Sequence, residues 1–270
     1  VTVSLSFRAL KSAVRRLLNP PAPRAIPGVI GRIHGRDLMM HDSSEESVAN
    51  YVRAGRSAVE NLEHVLAAAG RSWLDVRSCL DFGSGFGRVL RHLCEKIPPA
   101  LVTACDVDPE AVQFCVEEFN TKGLVSKPRI RRVRFGTYDL IWAGSVITHV
   151  RRDDASEIIS TLGRTLARGG ILVLSFHGRL SLDNLEHLYD RDWAEAAPAI
   201  REELATTGTS FRPYTYAFCG YRLRSYGMAW HTVECLEQLA GSDSAVQLRT
   251  LCHVDHGWDG HHDVIAFQRP

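Results

Sequence analysis

The stretch Asp81-Phe82-Gly83-Ser84-Gly85-Phe86-Gly87 constrains this chain most, because it sets three glycines between a strand pattern and a helix pattern. Ser78 to Phe82 reads as a strand, and the helix that follows carries Val89, Leu90 and Leu93 on one face. Glycines at such a junction let backbone approach a ligand at a helix N-terminus, as in parallel α/β sheets that bind nucleotides. A second strand, Leu101 to Cys105, ends at Asp106, roughly 20 residues beyond the loop. A carboxylate placed there can accept hydrogen bonds from ribose hydroxyls. Asp108 caps the next helix, Pro109 fits its first turn, and Val112, Cys115, Val116 and Phe119 face the sheet. These elements form one βαβ unit with an expected right-handed crossover. Taken alone, the pattern suits a nicotinamide dinucleotide as well as any other adenosine-bearing ligand.

The rest of the chain continues the α/β rhythm and then breaks it. Residues 43–69 read as a helix capped by Ser43 or Ser44, with Val48, Val52, Val59, Leu62, Val65 and Leu66 as its apolar stripe. Tyr138 to Ala143 is a strand with a polar exit through Gly144, Ser145 and His149. A helix bearing Ile158, Ile159, Leu162 and Leu166 follows, ends at Gly169-Gly170, and leads into a strand from Ile171 to Phe176. Beyond Gly178 come an acidic helical stretch around Trp193 and an aromatic segment holding Phe211, Tyr214, Tyr216, Phe218, Tyr221, Tyr226 and Trp230. That segment reads as an insertion over the ligand edge of the sheet, or as a hairpin with an aromatic packing face, or both. Val233 to Leu239 resumes a helix. Val246 to Cys252 and Val264 to Phe267 read as a final strand pair joined by a polar turn.

Charge excludes little but narrows the partners. The 32 basic and 31 acidic residues nearly cancel, which gives no global reason to expect nucleic acid. The basic cluster over 129–134 is one short patch. The seven cysteines show no CxxC spacing and several sit in apolar runs, as buried free thiols do. No apolar run has the length of a membrane span, and the first residues lack the apolar core of a secretory signal, so a cytoplasmic setting is expected. Between Val1 and Arg36 lie seven basic residues and no acidic one, with Phe7, Leu10, Val14, Leu17 and Leu18 at helical spacing. This helix either packs on the body, seeks a membrane or anionic glycan surface, or belongs to a disordered arm. It must stop near Asn19, before Pro20, Pro21 and Pro23.

The glycine loop, Asp106, Tyr138-Asp139-Leu140-Ile141-Trp142 with Ser145, and Leu166-Ala167-Arg168-Gly169-Gly170 together resemble the class I S-adenosylmethionine-dependent methyltransferases. The resemblance covers roughly residues 73–178 and, more loosely, the closing strand pair. It implies an α/β, Rossmann-like sheet of seven mostly parallel strands whose last strand is antiparallel. With it go an N-terminal helical cap over 1–72, a core over 73–178 and 232–270, and a lid or acceptor-binding insertion over 179–231. The implied cofactor is S-adenosylmethionine. Gly83, Gly85 and Gly87 would surround its methionine part, Asp81 its amino group, Asp106 its ribose and Val107 its adenine, with Gly144 and Ser145 passing beneath. The family's third strand is expected to be replaced by Arg129 to Phe135, which leaves the adenine-side partner unassigned. A narrower likeness, through Gly83 to His92, Ser145 to His149 and Ser175 to Gly178, is to a bacterial group associated with sugar and polysaccharide modification. It tilts the expected acceptor toward a carbohydrate hydroxyl.

Methyl transfer to a hydroxyl benefits from a group that removes the proton, and imidazole suits that work near neutral pH. His149 and His177 follow successive strands at the carboxyl edge, while His261 and His262 belong to the dense closing segment from His253 to Asp263. These four are the candidate catalytic residues. The closing segment also admits a divalent ion, magnesium or manganese, held by His256, Asp259 and His261 or His262. Its spacing matches no specific zinc signature, and a solvated turn is the plain alternative. The expected reaction is O-methylation of a small polar acceptor. An N- or carboxyl-directed enzyme and a non-catalytic S-adenosylmethionine-binding module are the competing readings. Oligomeric state is left open.

Overall fold

The computed structural model describes residues 20–40, 42–183, 191–214 and 224–270. The basic helix expected before Asn19, along with Tyr216, Phe218 and Tyr221, lies outside these residues. A two-residue pair, β1 (Arg24–Ala25) with β2 (Arg32–Ile33), precedes the long helix α1 (Glu45–Ala68), whose Ser44 side chain accepts from the Ser47 N–H. The core then runs β3 (Cys79–Phe82), α2 (Leu90–Lys96), β4 (Val102–Asp106), α3 (Pro109–Phe119) and β5 (Lys122–Val125). It continues with β6 (Tyr138–Ala143), α4 (Arg152–Thr165) and β7 (Leu166–Phe176). Between β7 and the closing elements stand α5 (Arg179–Asp183), α6 (Arg191–Thr207) and the antiparallel hairpin of β8 (Thr209–Pro213) and β9 (Gly227–His231). Helix α7 (Val233–Gly241), β10 (Arg249–Trp258) and β11 (His262–Gln268) complete the chain.

Seven strands form one sheet in the order β10-β11-β7-β6-β3-β4-β5. β3 pairs parallel with both β4 and β6, while β11 is antiparallel to β7 and to β10. This is the Rossmann-like sheet of the class I methyltransferase fold. Strand alternation divides the core between its faces. Cys79, Ala104, Leu140, Trp142 and Val173 pack with Val59, Leu62 and Val65 of α1, Leu90 of α2 and Cys115 of α3. Leu80, Cys105, Ile141, Leu172 and Ile265 pack with Ile158 and Leu162 of α4 and Leu236 of α7. The elements between β7 and α7 have their own cluster of Leu182, Ile200, Leu204, Met228 and Trp230.

Two expectations are corrected. The third strand is not replaced by Arg129 to Phe135: it is β5, Lys122–Val125, paired with β4 from Thr103↔Lys122 to Asp106↔Val125. Residues 130–132 are a single 3-10 turn behind it. Nor is His253 to Asp263 one polar turn. Strand β10 carries His253, Asp255, His256 and Trp258 up to the edge, leaving 259–261 as the turn. An irregularity between Val254 and Trp258, with His256 at φ 48°, lets strand pairing pass through so polar a stretch. Among the described residues no helix is long and apolar enough to cross a membrane.

Candidate active site

The sheet order reverses between β3 and β6, and a cavity of about 310 Å³ opens at the carboxyl ends of β3, β4 and β6. The glycine loop forms one wall. Gly83 has φ 82° and a Cβ there would stand 2.5 Å from Val146, so both conformation and space demand glycine. Gly85 has φ 49° and faces open space, with its N–H donating to Asp106 Oδ2 at 2.8 Å. Gly87, expected at the ligand, does not line the cavity. A Cβ on it would meet Phe119 at 3.0 Å and Cys115 at 3.3 Å, so it serves the packing of α3.

Asp81, Asp106, Val107, Gly144 and Ser145 all line the cavity. Asp81, next to last in β3, sits between Ala104 and Trp142 and is 1% exposed. Its Oδ2 and the Ser84 Oγ have no hydrogen-bond partner among the described residues. Burial, with the Asp106 carboxylate nearby, pushes the Asp81 acid up to about 7 against a smaller opposing pull from Arg88. Asp106 is raised too, mainly by burial, although its oxygens accept from Gly85 N–H and Asp108 N–H. Two close, buried carboxyls on a glycine loop form a pocket suited to a cation and to hydroxyl donors.

Sequence reasoning missed two walls. Arg36, Asp37, Leu38 and Met39 line the cavity from the amino-terminal side, and Ser126, Lys127 and Pro128 follow β5. The first wall is tied down by Arg36, which pairs with Asp108 at 3.0 Å and also with Glu110, and by Asp37, which accepts from Tyr51 Oη at 2.7 Å. His34 stacks on Phe86 with ring centroids 4.4 Å apart. Only charge complementarity between Arg36 and the start of α3 could have signalled this contact from sequence.

Of the four histidines singled out, only His149 lines the cavity. Its Nδ1 lies 2.8 Å from Gly227 O, which can only accept, so the proton sits on Nδ1 and Nε2 keeps its lone pair. That Nε2 is 3.4 Å from Ser145 Oγ, and the ring stacks on Tyr226 at 5.0 Å with Tyr214 beside both. Burial lowers the His149 pKa despite the Gly227 hydrogen bond. Ser145 itself holds φ 56° after β6, and its N–H donates to Ser175 Oγ at 2.8 Å. His177 and His262 are buried behind that floor, with Nε2 atoms 3.2 Å apart. Burial keeps both neutral at and well below neutral pH. His231, unnoticed in the sequence, is also buried, bonded to Ile147 O and Thr209 Oγ1, and pushed down to about 4 by desolvation.

The set that the closing segment admits for an ion, His256 with Asp259 and His261 or His262, is not assembled among the described residues. The Asp259 carboxylate pairs with Arg53 at 2.9 Å, with Arg88 at 3.9 Å beyond it, while His261 turns its Nδ1 to Asp259 O at 3.0 Å. What the fold gathers instead is His177 with His261 and His262, and separately His253 with Asp255 and Asp263.

Residues 80–172 match a family model described as a methyltransferase domain. The ribosomal protein L11 methyltransferase of Agrobacterium fabrum is 30% identical over 189 residues, 61% of this chain and 62% of that protein. The malonyl-acyl-carrier-protein O-methyltransferase of Acetivibrio thermocellus is 22% identical over 160 residues, 57% of this chain and 53% of that protein. The chain thus spans less than two thirds of the length of both curated relatives. Magnesium protoporphyrin IX methyltransferase of Synechocystis, solved with bound S-adenosylhomocysteine, shares the fold at TM-score 0.52 and 18% identity, over 85% of this chain and 90% of that one.

Proposed function

We propose that this chain, whose residues 80–172 match a methyltransferase domain and whose sheet has the class I order, is an S-adenosylmethionine-dependent methyltransferase that methylates a hydroxyl of a small polar acceptor, a sugar or glycan. The observation that carries the donor is Asp81: a buried carboxyl with an unpartnered oxygen, facing the cavity beside a glycine that leaves open space. Asp81 would hold the donor's ammonium group and Asp106 its ribose, and Val107 with Ser126, Lys127 and Pro128 would border its base. When bound, the donor would supply an electrophilic methyl group on a sulfonium.

The chain's own residues do the rest. His149 holds its ring by the Nδ1–H bond to Gly227 O and presents Nε2 to the cavity, where it takes the acceptor's proton. Tyr226 offers an aromatic face beside it for a sugar ring. An acceptor that needs deprotonation is favoured by this arrangement, since a carboxylate acceptor would give His149 nothing to do. His177 and His262, which do not reach the cavity, act through the floor beneath Ser145 rather than on the acceptor.

Calorimetry with S-adenosylmethionine, S-adenosylhomocysteine and a nicotinamide dinucleotide tests the donor. Binding of the first two and not the third is expected, and tight dinucleotide binding alone would end the assignment. Turnover is then read by mass spectrometry across hydroxyl, amine and carboxyl acceptors. Donor binding with transfer only to amines or carboxyls would overturn the hydroxyl reading, and no transfer at all would favour a non-catalytic module.

A further inference from the structure

We propose that His177, His261 and His262 form a site for one divalent transition ion of the zinc type, set behind the cavity floor where the ends of β7 and β11 meet. One ligand nitrogen from each of the three lies within 4.8 Å of the other two. His177 Nδ1 is 3.1 Å from Ala229 O and His261 Nδ1 is 3.0 Å from Asp259 O, and carbonyls only accept. Both rings therefore carry their proton on Nδ1 and present Nε2 as a lone pair. His262 Nδ1 is 3.0 Å from Ser175 Oγ, so its Nε2 is likewise the nitrogen turned to the cluster. An oxygen hydrogen-bonded to the far nitrogen of every ring is the arrangement that orients metal-binding histidines.

The geometry between the rings agrees. His177 Nε2 and His262 Nε2 are 3.2 Å apart, while two imidazole nitrogens on one tetrahedral zinc, each at about 2.0–2.1 Å, stand about 3.3–3.4 Å apart. Their ring centroids are 4.6 Å apart at an interplanar angle of 90°, so the rings are not end to end and their nitrogens converge. His261 meets His262 edge to face at 4.3 Å and 81°, and lies 6.3 Å from His177 at 27°, with one nitrogen of each ring within 4.8 Å of the others. Half-buried His261 leaves a side open to water for a fourth position. An all-imidazole set selects zinc, cobalt or nickel over magnesium or manganese, which prefer oxygen. Among the described residues no acidic oxygen belongs to the cluster.

The ion would join three pieces that no single element connects: the end of β7, the turn between β10 and β11, and, through His177 and Ala229, strand β9 of the hairpin. Its place is independent of which acceptor the cavity takes.

Zinc and cobalt added to the metal-stripped full chain test this by calorimetry, by the visible spectrum of bound cobalt, and by melting temperature. One equivalent should bind, the cobalt spectrum should report nitrogen-rich four-coordination, and zinc but not magnesium should raise the melting temperature. His261→Ala removes the most exposed ligand and is the variant least prone to unfold, and it should weaken zinc binding at least about 10–100-fold. His253→Ala, in the neighbouring His253, Asp255 and Asp263 group, should leave binding unchanged. Undiminished binding in His261→Ala, or loss in His253→Ala alone, would move the ion elsewhere. Absence of binding by both ions would show the three histidines to be a hydrogen-bonded chain only.

Discussion

At the scale of single residues, the site rests on groups held in forms they do not adopt in water. Asp81 is raised to about 7, above its unfolded value of 3.8, so its folded form prefers the proton. Stability from that preference is fully present below 3.8 and is lost as pH rises through 7. Asp81→Asn should therefore raise the melting temperature at pH 8 relative to wild type while weakening donor binding, a pairing that a merely structural carboxyl would not give. In the wild type, donor affinity should fall as pH drops below about 7, since the acid must ionise to meet a cation; calorimetry across pH 5.5–8 reads this, with a slope of up to about tenfold per unit. His149 behaves oppositely in sign. Burial among Tyr214, Tyr226 and Ser145 lowers it from 6.5, so it is already a free base at neutral pH. With donor and acceptor saturating, turnover should be flat above pH 7 and decline only in acid. His149→Ala should lower single-turnover transfer roughly 10²–10⁴-fold with donor affinity nearly intact, and near-normal transfer would dismiss it as the base.

At the scale of elements, what could be read from sequence was what is local. The glycine loop, Asp81 and Asp106 declare themselves because strand, loop and helix are contiguous, and Tyr138–Ala143 because an apolar run is bounded by polar exits. β5 was unreadable: Lys122-Gly123-Leu124-Val125 is four residues long and sits at the sheet edge with most of its side chains outside the core, so no periodicity marks it. β10 misled for the reverse reason, since histidine and aspartate signal turns, yet a bulge keeps them on a strand. The wall at Arg36 depends on ion pairs across more than 70 residues of chain, which no window of sequence contains. Arg36→Ala should free that segment and weaken donor binding by about tenfold, near 1.4 kcal/mol, with little change in melting temperature. Hairpin and core meet through histidines: His149 to Gly227, His177 to Ala229 and His231 to Ile147. Removing the buried His231 ring leaves Ile147 O and Thr209 Oγ1 without it, so His231→Ala should cost roughly 2–3 kcal/mol in urea unfolding. It should also impair acceptor use more than donor binding. Equal loss of both in a folded variant would argue against a separate role for the hairpin.

At the scale of the whole molecule, donor and acceptor walls come from distant parts of the chain that share one floor. Ser145 N–H, Ser175 Oγ, His262, His177 and Ala229 O form an unbroken series from the cavity to β9. Donor binding should therefore slow hydrogen exchange at residues 36–39 and 83–85, and also at 227–231, although the last lie on the hairpin. Protection confined to the glycine loop would show the series to be mechanically silent. The histidine latch has a further meaning for descent and for engineering. An insertion joined to its host only by its two chain ends can be exchanged between relatives as a cassette, and acceptor preference then travels with it. Here the hairpin is keyed to three imidazoles, two of which, His149 and His177, belong to the host. A transplanted hairpin would arrive without its locks, so new acceptor specificities in this lineage should arise by point substitution within the hairpin rather than by its replacement.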